Sequence, residues 1–273
     1  PAANAVTCHW VKETEKGLGR GTHKLFPDKD FEKREFLCST DERFRPVSIY
    51  NGPDGCIYVV DLYRGILQHK VYVTSFYLKP YILERKLEVP VGMGRIYRIV
   101  NKAKGRNKMQ PKLQNASVEK LVKTLSHPNG WWRDTAQRLL VERRDKKSIP
   151  ALRKVIESSN NHLAKVHALW SLEGMDALNL ATITDGLEDE HEKVTMTALV
   201  VSERLRSTLE QDKAITTLQP YTKNKFEQVA KLSDQMIKRL NGQIIAKSGG
   251  PPKIKKMPKG KHGESVKRGV QVY

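Results

Sequence analysis

The sequence predicts an α+β multidomain chain, and three observations predict it. Short β-rich runs occupy residues 1–104, a 31-residue helical repeat occupies 105–242, and a lysine-, glycine- and proline-rich linker occupies 243–263. Residues 264–273 regain helical periodicity, as the start of a further domain would. At 273 residues the chain is long enough for about two cores.

The β-rich runs are 5–12, 45–50, 57–61 and 95–100. The second and third read as a hairpin across Asn51-Gly52-Pro53-Asp54-Gly55, where Pro53 fixes φ and Gly55 tolerates positive φ. The turn's expected role is only to reverse the chain. Between Asp61 and Gly94 runs a long excursion with a helix predicted near 74–86, and long excursions from a rigid sheet are where sites are built. Residues 102–114 are a polar linker.

The helical part repeats in three registers. Leu121, Leu152 and Ile183 are 31 apart, as are Leu125, Ile156 and Leu187, while Ala136, Ala168 and Ala198 follow at 32 and 30. Each unit has an apolar pair at i, i+4 on a first helix, a break near 127–130, 158–161 or 189–192, and a second helix with a small residue facing in. Leu218 continues the register into a weaker fourth unit ending near Leu240. A helix pair of this kind buries its apolar face only against neighbours, so the units must stack. Trp131 and Trp132 open the second helix of the first unit, where aromatics lock an array to the preceding domain.

The net charge of +19 divides as +6 over 1–104, +6 over 105–242 and +7 over 243–273. In the array, 23 basic residues are interleaved with 17 acidic ones, the pattern of ordinary solvated helix faces, so no nucleic-acid partner is expected. Gly17, Gly19 and Gly21 lack the strand-to-helix setting of a phosphate loop. Cys8, Cys38 and Cys56 form neither a disulfide framework nor a metal-ligand spacing. No run approaches the ~18 apolar residues of a membrane span. The first residues carry neither an initiator Met nor a secretion signal, so the chain is expected to be a piece of a longer protein.

Five stretches carry a family resemblance: EFLCSTDERFRPV at 35–47, GPDG at 52–55, YVVDLYRGILQH at 58–69, GRIYRI at 94–99 and HPNGWWRDTAQRLL at 127–140. In this order they resemble the membrane-bound dehydrogenase, or haem-binding, proteins of planctomycetes and verrucomicrobia. The resemblance implies terminal β-propeller strands like those of glucose/sorbosone dehydrogenases, followed by an α-helical HEAT-like solenoid. It further implies a linker and a truncated c-type cytochrome domain beginning at 264–273, downstream on the same chain. The implied location is periplasmic or extracellular, with membrane association only through parts outside this chain.

The function the resemblance implies is a quinoprotein-like dehydrogenase that oxidises a sugar or alcohol and passes electrons to its own c-type haem. The parent would hold pyrroloquinoline quinone, calcium and covalent haem c, while this piece would hold none and be inactive. The alternative is a non-catalytic propeller and repeat scaffold that binds protein or polysaccharide partners.

Arg43 and Arg45 resemble the two arginines of an Arg-x-Arg-Asp-Val quinone site, with Pro46 standing where the Asp would be. At i, i+2 on a strand they would share a face, and guanidinium forks suit the cofactor's carboxylates. The alternative is pairing with Asp41, Glu42 or the excursion. His69 is the candidate proton acceptor and Arg64 a candidate substrate-binding residue, and each has a structural alternative. Asp54 and Asp61 are weighed as calcium ligands against turn caps.

The repeat register itself is testable. Replacing Ala168 by Phe is expected to cost about 1–3 kcal/mol through overpacking. An unchanged melting temperature would mean that the 31-residue register is misassigned.

Overall fold

The computed structural model describes residues 37, 39–67, 71, 73 and 76–242. The expected strand at 5–12, the glycines at 17–21, Cys8, Cys38, His69 and the linker and helical start at 243–273 lie outside them. The described fold is α+β and about half helical.

Its strands, β1 (Pro46–Asn51), β2 (Ile57–Asp61) and β3 (Arg95–Ile99), form one antiparallel sheet in the order β1-β2-β3. The hairpin sits where the Ile, Tyr and Val runs predict it, with Tyr50 opposite Tyr58 and Ile49 opposite Val59. Gly52 donates to the Cys56 carbonyl at 2.8 Å, and Gly55 takes a φ of 78°. Asp54 holds the turn by accepting from Cys56 N and the Tyr58 hydroxyl. Between Pro46 and Ser48 the register slips. Pro46 has no N–H for the ladder, and the Arg45 N–H beside it bonds the Asp61 side chain instead. Within the excursion the helix α1 is limited to Leu78–Glu84.

The array comprises α2 (Val118–Thr124), α3 (Gly130–Arg143), α4 (Ser148–Ser158), α5 (His162–Gly174), α6 (Leu180–Leu187), α7 (Glu192–Val201), α8 (Gln211–Leu218) and α9 (Glu227–Leu240). The breaks between helices are built from capping residues. Ser117, Asn129, Asn161, Asn179 and His191 each accept from a backbone N–H of the first turn that follows, satisfying donors a helix start leaves open. The helices α4, α8 and α9 have no side-chain cap, and short 3-10 turns at Ser202–Leu205 and Gln219–Lys223 interrupt the last unit.

All residues of the three registers are buried, Ala136, Ala168 and Ala198 completely. Contacts follow a two-layer pattern: α2, α4, α6 and α8 touch in succession, and so do α3, α5, α7 and α9. Cross-layer contacts such as α4 with α5 and α6 with α7 close one continuous core from Leu113 to Leu240. Full burial of a leucine or isoleucine contributes about 1.5–3 kcal/mol, so this column dominates the array's stability.

Among the described residues two side-chain hydrogen bonds join sheet and array. Asn129 Nδ2 donates to the Gly52 carbonyl at 2.8 Å, and Trp132 Nε1 donates to the Pro53 carbonyl at 3.0 Å. The turn therefore does more than reverse the chain. The His127 ring stacks on Trp132 with centroids 5.1 Å apart, and Trp131 meets it edge to face. At the other side of α3, Arg143 donates to the carbonyls of Leu113, Gln114 and Ala116, fixing the end of the polar linker. Among the described residues no helix is long and apolar enough to cross a membrane.

The clamp separates into polar and apolar parts. Trp132→Phe removes the bond to Pro53 and part of the ring's packing and is expected to cost about 1–2 kcal/mol, whereas Trp132→Ala opens a larger void and should cost about 3–5 kcal/mol. Thermal unfolding of the two variants checks the difference.

Candidate functional site

Of the sequence-predicted residues, Arg43, Arg45, Asp61 and Arg64 gather where the excursion meets the sheet, while Asp54 lies at the other end of β2 and His69 outside the described residues. Asp41 begins a tight turn: its carboxylate accepts the Arg43 N–H at 3.0 Å and its carbonyl accepts the Phe44 N–H. Arg43 thus lies in a turn and Arg45 just before β1, so the pair is not displayed on one strand face as the i, i+2 spacing suggests. Desolvation pushes the Asp41 carboxyl up. The Arg43 N–H, the Tyr63 hydroxyl and the charges of Arg43 and Arg95 together outweigh it and hold the group below the ordinary carboxylate range.

Arg43 reaches across to the C-terminal end of α1. Its Nε donates to the Val89 carbonyl at 2.9 Å, and its Nη2 to the carbonyls of Arg85 and Lys86. These oxygens lie past the last turn of a helix, where a cation satisfies open acceptors and complements the dipole. Glu42 completes the attachment by accepting from the Tyr81 hydroxyl and from Arg85, whose guanidinium lies over the Tyr81 ring.

Arg45 donates to the carbonyls of Phe44 and Gly65. Its backbone N–H and that of Tyr63 converge on Asp61 Oδ1, at 2.7 and 2.8 Å. Asp61 is 1% exposed, and its second oxygen, Oδ2, has no hydrogen-bond partner. Tyr63 takes a left-handed φ of 47°, and the Arg95 guanidinium covers its ring at 3.5 Å. Gly65 packs so tightly that a Cβ there would stand 2.4 Å from the Leu87 carbonyl oxygen. Arg64 is exposed and donates to the nearby Ile66 carbonyl.

The cofactor expectations can be tested on these contacts. Arg43 and Arg45 direct their N–H groups at protein carbonyls and do not fit a quinone-carboxylate site as they stand. Asp54 and Asp61 flank β2 at opposite ends, roughly 15–20 Å apart at strand rise, too far to share one calcium ion. Both cap turns. Among the described residues no group of three or more His, Cys, Asp or Glu could hold a metal ion.

A second polar cluster crosses from α3 to α5, and the sequence reading does not single it out. Arg133 Nε donates to His167 Nε2 at 3.2 Å, and the opposite ring nitrogen meets Gln137 Oε1 at 2.6 Å. That pairing requires a neutral ring with the proton on Nδ1. Burial, aided by the Arg133 charge and opposed by Asp134, holds His167 below the ordinary histidine value. Its residues fall between the register positions, so a periodicity search passes over them.

Residues 1–103 match the family described as a domain of unknown function, DUF7133. The match spans the sheet and the excursion, including Asp41, Arg43, Arg45, Asp61, Arg64 and His69. No curated protein matches the chain.

Two measurements follow. Asp61→Ala leaves two N–H groups without their acceptor and is expected to cost about 2–3 kcal/mol, with Asp61→Asn costing less because its amide oxygen still accepts. For His167 the folded value lies below the unfolded one, so its contribution to stability is complete above about pH 6.5 and is lost as pH falls through the folded value. Melting between about pH 7 and pH 5 should therefore drop less in His167→Gln than in the parent chain.

Proposed function

We propose that the chain is a binding scaffold in which a HEAT-like helical array is held rigidly against the last strands of a β-propeller. The observation that carries this reading is the bonding of Asn129 and Trp132 to the Gly52-Pro53 turn. A meander of three antiparallel strands is consistent with part of a four-stranded blade, and the two-layer helix contacts with a 31-residue register are those of a stacked repeat. Such arrays bind partners over extended surfaces. The chemistry of Arg43, Arg45 and Arg64 is consistent with this reading, since each donates to a backbone carbonyl of the excursion.

The second reading is the parent dehydrogenase, with a sugar or alcohol as substrate and a c-type haem as electron acceptor. Its support is the family resemblance together with Asp61 Oδ2, a buried carboxylate oxygen left unpaired at the root of the excursion. Buried unsatisfied groups concentrate at functional sites. In that reading His69, on the same excursion, remains the candidate base, and the location is periplasmic or extracellular.

The two readings separate experimentally. Full-length parent protein supplied with pyrroloquinoline quinone and calcium is expected to show no turnover on a panel of sugars and alcohols; quinone-dependent dye reduction would favour the dehydrogenase. The scaffold reading also requires rigidity. Cleavage within residues 102–114 under limited proteolysis should accelerate in the double variant Asn129→Ala, Trp132→Ala, and an unchanged rate would remove the rigid coupling.

A further inference from the structure

Between β1 and α3 lies a groove of about 350 Å³. One wall is Ile49, Tyr50 and Asn51; the other is Trp131, Asp134 and Arg138, which recur at the i, i+3, i+7 spacing of one helix face. Among the described residues the strand side has hydrogen-bonding capacity left over. Gly52 donates to Cys56, and bonded pairs alternate along an antiparallel ladder, so Tyr50 and Ser48 bond β2 while Ile49 and Asn51 turn their N–H and C=O outward. Among the described residues β1 is an edge strand, with no partner on that side.

The two edges of this sheet are unlike. The edge strand β3 carries Arg95 and Arg98, charges of the kind that blunt an edge against pairing. By contrast β1 reads Pro-Val-Ser-Ile-Tyr-Asn without one charge, and Val47, Ile49 and Tyr50 are more than half exposed. An uncharged, apolar edge facing a helix is the geometry in which an extended segment adds as a further strand.

We infer that this groove receives an extended peptide strand bearing a lysine or arginine, which pairs with the outer edge of β1 and sets its cation against Asp134. Charge complementarity selects the occupant. The Asp134 side chain is 74% exposed, and its only cationic neighbour within ion-pair range among the described residues is the His167 ring at 4.0 Å, which burial keeps neutral. Arg138, one turn further along the same wall, is paired with Glu142 at 3.1 Å. With Arg138 engaged by Glu142, a basic side chain in the groove gains the Asp134 carboxylate, which has no lysine or arginine within ion-pair range among the described residues, and an acidic one meets its repulsion. Alternate side chains of the added strand face Trp131 and Tyr50, which supply apolar contact on a polar rim.

The test uses the whole chain and a short fluorescein-labelled peptide of alternating valine and threonine with one central lysine, read by anisotropy. Saturable binding is expected, weakened about tenfold by Asp134→Lys, and a glutamate-bearing version of the peptide should show the reverse preference. Asp134 is exposed, so this exchange leaves the fold intact. Ile49→Pro removes an outward N–H without touching a bond to β2 and should abolish binding of both peptides. Absence of saturable binding, or equal binding of both peptides to both proteins, overturns the inference. So does protection of the Ile49 and Asn51 amides from hydrogen exchange in the free monomer, which would mean that the chain covers its own edge. A concentration-dependent dimer broken by Ile49→Pro would assign the groove to a second copy instead.

Discussion

Two backbone carbonyls, those of Gly52 and Pro53, accept the hydrogen bonds that tie the hairpin to the first turn of α3. A hairpin turn ordinarily leaves such oxygens to water. Here the first turn of α3 brings an amide and an indole N–H to them, and Pro53 holds the turn in the shape that presents both. Each bond is worth on the order of 1 kcal/mol, and Trp132 is 6% exposed within the helical core, so its indole N–H is held in place toward its acceptor. The groove beside β1 is a consequence: the clamp fixes Trp131 and the rest of α3 near an edge strand without covering it.

Much of the fold was legible because it rests on periodic burial. The residues of the 31-residue registers point inward for the reason that made them visible, namely that a stacked pair needs apolar side chains at fixed helical phase. Strand bounds at 57–61 agree with the expectation, since β-branched residues fill a strand with neighbours on both sides. The helix near 74–86 is shorter than its sequence suggests. It is stopped by carbonyls that turn toward Arg43 after Glu84, a long-range partner that local propensity does not register.

The candidate site was less legible. Arginines two apart suggest a common face only if the backbone there is extended, and Asp41 instead folds it into a turn by accepting the Arg43 N–H. Asp61 was visible as an acid at a strand end, but its function as the acceptor that draws Arg45 and Tyr63 together depends on residues 16 positions earlier and 2 later. The network of Arg133, Gln137 and His167 has no sequence signature at all, because it joins polar positions of neighbouring repeats that happen to face each other.

The reinforcement of the array is uneven along its length. The second helices of the first units have asparagine caps, and these units also have the arginine-histidine-glutamine bridge, the Arg143 tie and the attachment to the sheet; α4 is uncapped, but only the last unit has both helices uncapped and two 3-10 interruptions. In a stack where each unit leans mainly on its neighbours, such a gradient gives the molecule a direction. Strain applied at the far end is relieved there first, by fraying of α8 and α9, before it reaches α3. The ties to the hairpin and the least reinforced helices thus sit at opposite ends of one helical core, so loosening of α8 and α9 need not disturb the residues that hold the sheet.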